Sequence, residues 1–245
     1  EPKRKLVDFR TPRRTISKLN AGYVEVGEVP AFARAMSSAT PTASKIKILQ
    51  GREFVTDTII DAQSKKQLGR GRKDNRIMRR GAADNAFLVR FELAASGIPK
   101  TAKVKKATLS LFVWDPSSRG RAKTAAFQVT RPWDEMSATW AQPQEGKTWQ
   151  NGAFKLDADT KLQSEFIVLE PDQGKDIANP PIEYRFDVTE LASAWLAGKA
   201  GNYGLAVASV EDRSVDDGNW TRCQVYGSEF DQVKYTPKLE IEWEE

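Results

Sequence analysis

Histidine is absent from this 245-residue sequence, and cysteine occurs once, at Cys223. Without histidine there is no Ser-His-Asp triad, no His-ligated zinc and no Cys-x-x-Cys-His haem attachment. A lone cysteine makes no internal disulfide. In the run TRCQVYGSE it occupies an alternating, strand-like position, where a small buried side chain is expected. No apolar run approaches the roughly 20 residues of a membrane span. No secretory leader is visible. A chain opening at Glu1 reads as a mature chain after signal removal, so the expected location is extracytoplasmic: periplasmic, secreted or cell surface.

What is present is charge, unevenly placed. Residues 1–80 carry 19 Lys and Arg against 8 Asp and Glu, a net of +11. The remainder carries 19 against 25, a net of −6, giving +5 in all. The length suits one large domain with an extension. Residues 1–45 read as a basic, extended arm. Seven cations fall in the first 20 residues, interrupted by Pro2 and Pro12, and residues 30–44 are rich in Ala, Ser, Thr and Pro. Such a segment has too little apolar content to fold alone, although Ala21 to Val29 alternates like a strand. Residues 46–245 read as the folded body.

In the body, short apolar runs recur between turn signals. They lie near Ile46 and Ile48, Phe54–Ile60, Ile77–Met78, Phe87–Leu93, Ala107–Trp114 and Ala126–Thr130. Further runs lie at Phe166–Leu169, Tyr184–Phe186, Leu205–Val210, Arg222–Tyr226 and Leu239–Trp243. This pattern predicts an all-β antiparallel sandwich rather than a parallel α/β sheet. One helix is expected, over about 188–197. Asp187 and Glu190 have capping-box spacing, Leu191, Ala194 and Trp195 form one apolar stripe, and Gly198 is placed to end it. Trp195 should be buried.

Several segments in order carry a family resemblance. They are Asp57-Thr58-Ile59-Ile60, then Phe87-Leu88-Val89-Arg90-Phe91-Glu92-Leu93 with Ile98-Pro99, then Val104 to Leu111. Val129-Thr130-Arg131-Pro132-Trp133-Asp134-Glu135 follows, with Ala138-Thr139-Trp140. Phe186 to Thr189, Trp195, Asn202 to Leu205, Ser228-Glu229 and Pro237 to Ile241 complete the set. Over roughly residues 55–243 the chain resembles the DNRLRE domain family, related to the disaggregatase repeat and to jelly-roll carbohydrate-binding modules. The resemblance implies a non-catalytic, jelly-roll-like β-sandwich on secreted or surface proteins of bacteria and archaea, some relatives binding acidic polysaccharide. The arm has no counterpart in the family, and the loop before the core strand is unusually basic.

The candidate functional residues fall into two groups. The arm offers Leu6, Phe9, Ile16, Leu19 and Phe32 as apolar anchors and Arg10, Arg13 and Arg14 as partners for acidic groups. Spaced anchors in a polar segment suit a groove on another chain, either a second copy or another subunit of a larger assembly. The second group would hold an anionic glycan. It comprises Arg70, Arg72, Lys73 and Arg76 in the basic run Lys65–Arg80, with Trp149 and Trp220 as exposed stacking surfaces in polar loops. Trp133 and Trp140, inside the family segments, are expected in the core. That basic run lacks interleaved aromatics, which argues against nucleic acid.

Asp134 and Glu135 are adjacent on the chain and so cannot alone form a hydrolytic pair; a structural tie to Arg131 is expected instead. Asp157 with Asp159, and Asp212 to Asp217, are the acidic clusters. Neither has an EF-hand pattern, and no metal or cofactor is expected. No catalysis is expected either. Two readings stand: a structural or assembly subunit that docks through its arm and sandwich, and an anionic-polysaccharide-binding module.

Overall fold

The computed structural model describes residues 43–64, 74–79, 85–116, 120–169, 180–210 and 221–245, and within 74–79 the backbone and the Ile77 side chain. The arm residues Leu6, Phe9, Arg10, Arg13, Arg14, Ile16, Leu19 and Phe32, and the expected strand at 21–29, lie outside the described residues.

Twelve strands are described: β1 (Lys45–Gln50), β2 (Val55–Asp61), β3 (Asp74–Arg79), β4 (Asn85–Phe91), β5 (Lys103–Asp115) and β6 (Ala122–Val129), then β7 (Thr160–Leu162), β8 (Ile167–Leu169), β9 (Ile182–Asp187), β10 (Leu205–Val210), β11 (Thr221–Tyr226) and β12 (Lys238–Glu244). Sheet one holds β1, β12, β5, β11, β3 and β9; sheet two holds β2, β4, β10, β6, β7 and β8. Every pairing is antiparallel. From β1 to β6 the chain changes sheet at each step. This is the all-β sandwich that the spacing of apolar runs predicts.

Each sheet has one edge shared by two strands in line. Val113 of β5 pairs with Ile182 on one side and Val225 on the other, and Leu109 pairs with Phe186 and Leu239. β11 and β12 therefore follow each other along one edge of β5, with residues 227–237 between them. In sheet two, β7 and β8 share one edge of β6 in the same way.

The pleat sorts side chains by period two. From sheet one, Ala107, Leu109, Leu111, Val113, Leu239 and Ile241 enter the central core. From sheet two, Phe87, Val89, Phe91, Leu205 and Val207 meet them. The other face of sheet two is also apolar. Ala86, Leu88, Ala125, Ala206 and Ala208 form a second core with Trp133, Trp149 and Phe154 from the long segment between β6 and β7. Methyl-sized side chains on those strands leave the space that the indoles fill. Near the end of that segment lies the one-turn helix α1 (Leu156–Asp159), which the apolar periodicity did not signal.

The second helix, α2 (Thr189–Leu196), lies inside the expected span. Its buried residues are Leu191, Ala192, Trp195 and Leu196, with Ala194 half-buried rather than central to the stripe. The capping box is corrected. Val188, buried in the core, takes the N-cap position, and Asp187 stands one residue earlier. From there Asp187 Oδ1 accepts the Thr189 backbone N–H at 2.9 Å and the Thr189 hydroxyl at 2.6 Å. The C-terminus is a Schellman turn: Lys199 N–H donates to Ala194 O, Gly198 N–H donates to Trp195 O, and Gly198 holds φ +67°.

Residues 201–204 are tied to the body by side chains. Trp195 Nε1 donates to Gly201 O at 3.1 Å, and Trp133 Nε1 donates to Tyr203 O at 2.6 Å. Asn202 Nδ2 donates to Phe91 O at 2.7 Å. Gly204, at φ +80°, passes so close to β4 that a Cβ there would lie 2.3 Å from the Val89 carbonyl oxygen. Only glycine fits that approach.

Candidate binding face

Sheet one turns its second face outward; residues 227–237 cover its Phe112 and Tyr226 end, whereas residues 130–159 lie across the outer face of sheet two. Three strands build the middle of this face. The register gives cross-strand rows: Asp187, Thr108, Glu240 and Ile48 in one, and Arg185, Ser110, Lys238 and Gln50 in the next. Acidic and basic rows thus alternate about a spine of hydroxyls. A trough of about 280 Å³ follows this spine, lined by Lys106, Thr108, Ser110, Arg185, Asp187, Lys238 and Glu240. It shares Lys106, Arg185 and Asp187 with a recess of about 740 Å³ that reaches Gln163, Glu165 and Ile167.

Glu183 organises the cations beside the trough. Its carboxylate meets Arg185 NH2 at 2.8 Å and Lys238 Nζ at 3.4 Å. Burial pushes its pKa up, but hydrogen bonds from Arg185 and Ser110 and the Lys238 charge outweigh burial and leave it below the usual carboxylate value. Arg185 keeps 66% of its side chain exposed, so its remaining donors face water. At the β1 edge, Ile46 and Ile48 are 62% and 48% exposed.

Beyond Lys238 the face turns aromatic. Its ammonium stands 6.0 Å from the Phe112 ring centre. Phe112 meets Tyr235 edge-on at 5.8 Å, and Tyr226 stacks on Phe230 at 3.6 Å and on Trp114 at 6.0 Å. Trp114, Tyr226, Phe230 and Tyr235 are each half-buried. Burial, with Tyr235 nearby, pushes the Tyr226 phenol above its ordinary pKa. The buried Trp114 indole nitrogen has no hydrogen-bond partner. Phe230 and Tyr235 both come from residues 227–237, the segment that joins β11 to β12.

That segment also reaches the sandwich interior. Ser228 N–H donates to Asp57 Oδ2 at 2.6 Å, and Asp57, on β2, is wholly buried. Burial first, then the charge of Glu229, raise the Asp57 carboxyl to about 7, against hydrogen bonds from Ser228 that lower it. Glu135 is also pushed up, by burial, by the Glu229 charge and by a hydrogen bond with the Glu229 carboxyl.

The expected stacking residue Trp149 requires correction. It is 1% exposed, packs edge-on against Phe154 at 5.1 Å and donates its indole N–H to Thr139 O at 2.9 Å. The polar letters around it, GKTWQNG, are those of a covering segment whose indole is turned inward. Trp220, Arg70, Arg72 and Lys73 lie outside the described residues. Arg76 lies in β3, its backbone opposite Gln224. Lys73 precedes Asp74, which pairs with Tyr226, and Trp220 precedes Thr221, which pairs with Arg79.

Trp133 is buried as expected, and Trp140 is half-buried against Phe154. Asp134 accepts from Met136 N–H and the Ser137 hydroxyl and so shapes its own turn. The ion partner of Arg131 is Asp159, at 3.2 Å, not the expected Asp134 or Glu135. Asp159 is fully buried and also accepts the Gln150 and Lys155 amides, so it is a structural carboxylate rather than a solvated loop residue. Asp212 to Asp217 lie outside the described residues. Among the described residues no group of His, Cys, Asp and Glu is arranged to hold a metal ion. No described helix is long and apolar enough to cross a membrane. Cys223 is buried, and burial with the Asp115 charge pushes its thiol up to about 12.

The aromatic and charged outer face of sheet one was missed because its residues are scattered over four strands and one loop. Only their alternation with the core residues marks them. No curated protein matches the chain. The model of the disaggregatase related repeat domain matches residues 75–241, from β3 into β12, and with more than half of its length matched the chain belongs to the disaggregatase related repeat family.

Proposed function

We propose that the chain is a non-catalytic structural subunit of an extracytoplasmic assembly, and that its body meets the partner through the outer face of sheet one. The observation that carries this is the asymmetry of the sandwich. Sheet two is covered on both faces, whereas sheet one presents Ile46, Ile48, a charged trough and an aromatic cluster outward. Exposed apolar side chains beside ordered charges are the composition of a contact face. The arm, with its apolar anchors and arginines, is the second grip. Full-length protein should co-purify with its assembly or self-associate in size exclusion. Ile46→Asp/Ile48→Asp and deletion of residues 1–20 should each weaken that association while circular dichroism stays that of a folded sandwich. Association unchanged in both variants sinks the proposal.

A second reading, binding of an anionic polysaccharide, is favoured by the same face. Lys106, Arg185 and Lys238 border hydroxyls, and Lys238 stands beside Phe112, which meets Tyr235, a combination that suits carboxylates and pyranose faces. The finer likeness to DNRLRE domains and jelly-roll carbohydrate-binding modules supports it. Retention in a polyuronate gel should fall with added salt and in Lys106→Ala/Arg185→Ala. Equal migration of wild type and variant excludes this site.

A further inference from the structure

We infer that β9 is a docking edge, where an extended segment of a partner polypeptide adds to sheet one as a further strand. The inference goes beyond the contact-face reading, since it concerns the backbone at the rim of sheet one and not the side chains of its outer face. Among the described strands β9 pairs with β5 alone. The ladder fixes which of its amides are used. Val188 N–H donates to Ala107 O at 2.9 Å, one rung beyond the Asp187–Thr108 pair. Bonded and non-bonded pairs alternate along an antiparallel ladder, so Ile182, Tyr184 and Phe186 bond toward β5. Glu183, Arg185 and Asp187 therefore turn their backbone N–H and C=O groups away from it. Among the described residues none bonds to those outward groups. A row of such groups is a template for another extended backbone, whose own donors and acceptors repeat at the same spacing. The six residues of β9 offer an edge of about 20 Å at about 3.4 Å per residue.

The edge has room beside it. The recess of about 740 Å³ takes Arg185, Phe186 and Asp187 from β9 and Gln163, Glu165 and Ile167 from the β7–β8 stretch of sheet two. The sheet-two lip is interrupted. β7 and β8 have three residues each, and between them the Ser164 hydroxyl accepts Ala126 N–H in place of a ladder bond. β9 is the continuous lip. Phe186 belongs to the central core and Ile167 packs half-buried against that core, so the recess has an apolar floor. Lys105 and Arg185 are engaged by Glu244 and Glu183, which leaves Lys106 facing the carboxylates of Glu165, Asp187 and Glu190. Side chains of an added strand alternate between the floor and the charged outer side. The occupant is accordingly a segment with apolar residues toward Phe186 and Ile167 and a basic residue beside Asp187.

Residue-resolved amide exchange of the full chain, followed by titration with an end-blocked peptide of about seven residues alternating valine with lysine, tests this. In the chain alone the Glu183, Arg185 and Asp187 amides should exchange roughly tenfold or more faster than those of Ile182 and Phe186. Saturating peptide should slow the first set by a similar factor and leave β4 and β10 unchanged. N-methylation of one alternate set of peptide amides should weaken binding roughly tenfold or more, because two or three backbone bonds are lost; N-methylation of the other set should change it less than about threefold. Arg185→Pro removes one outward donor at an edge position, where proline is tolerated, and should weaken binding, whereas Arg185→Ala keeps the donor and should bind like wild type. If Arg185→Pro does not fold, the methylated peptides carry the test. Outward amides that are already slow in the chain alone, no binding of the alternating peptide, or equal weakening by both methylated sets overturns the inference. A dimer of the chain alone that Arg185→Pro dissociates means that β9 pairs with its own copy, and overturns the separate partner. Ile46→Asp/Ile48→Asp alters β1, two strands removed from β5 across the sheet, and should bind the peptide normally. Failure of the contact-face reading and failure of the docking edge are therefore separately visible.

Discussion

Ala86, Ala125, Ala206 and Ala208 face outward from sheet two, whereas Lys106, Thr108, Ser110 and Lys238 face outward from sheet one. Both sheets are antiparallel, and both close the same central core with Leu, Val and Phe. They differ in what the opposite face has to meet. Small apolar side chains on sheet two accept a roof of three large aromatics, and the roof holds its own indole N–H groups to backbone carbonyls. Long polar side chains on sheet one would obstruct such a roof and bind ions and hydroxyls instead. One face is finished by the chain's own 130–159 segment; the other is left with the composition of a surface that something else completes.

Substitutions that strike the covered side should cost most. Gly204→Ala puts a Cβ against the Val89 carbonyl and forces φ +80° on a residue with a side chain. Loss of more than about 4 kcal/mol is expected, enough that soluble expression at 37 °C fails; a folded variant of normal melting temperature would break the account of that loop. Trp149→Ala should cost about 3–5 kcal/mol in urea unfolding, as for a buried aromatic truncation. A cost under 1 kcal/mol would mean that the roof is not part of the core. On the open side, Tyr226→Ala removes stacking with Phe230 and Trp114 and should cost on the order of 1–2 kcal/mol, aromatic pairs being worth about 0.5–1.5 each. Lys106→Ala/Arg185→Ala should fall within about 0.5 kcal/mol of wild type. A large destabilisation by that last pair would show that the charged rows hold the sheet together and would erase the difference between the two sides.

The sequence made most strands legible because their apolar residues alternate. β5, β10 and β12 were readable to within a few residues, and the Leu191–Trp195 spacing placed α2. Trp149 was misread for a physical reason. A loop is polar where it faces water, and its composition does not say which single side chain turns back. The signal lay elsewhere, in LAVAS and in AKTAAFQV, where alanines fill the positions that a half-exposed strand would give to polar residues. A strand apolar on both faces requires a second cover, and the tryptophans of the following loop are there to provide it. The carboxyl cluster was illegible because Asp57, Glu135 and Glu229 are far apart in sequence. Each stands in an ordinary local context, and only the crossing of the 227–237 segment over β2 brings them together.

The pairing of β1 with β12 has a mechanical consequence. Lys45 lies opposite Trp243, and its ammonium meets the Glu245 carboxylate, so both ends of the described body emerge at one corner. Tension applied between those ends pulls two antiparallel neighbours apart from the same side. The rungs from Lys45–Trp243 to Gln50–Lys238 then carry the load one after another rather than together, and the pair peels like a zip instead of resisting as a block. A body tethered at this corner yields at low force, whereas an anchor moved to the far end of β12 would put all of those rungs in shear and make the same sandwich mechanically strong.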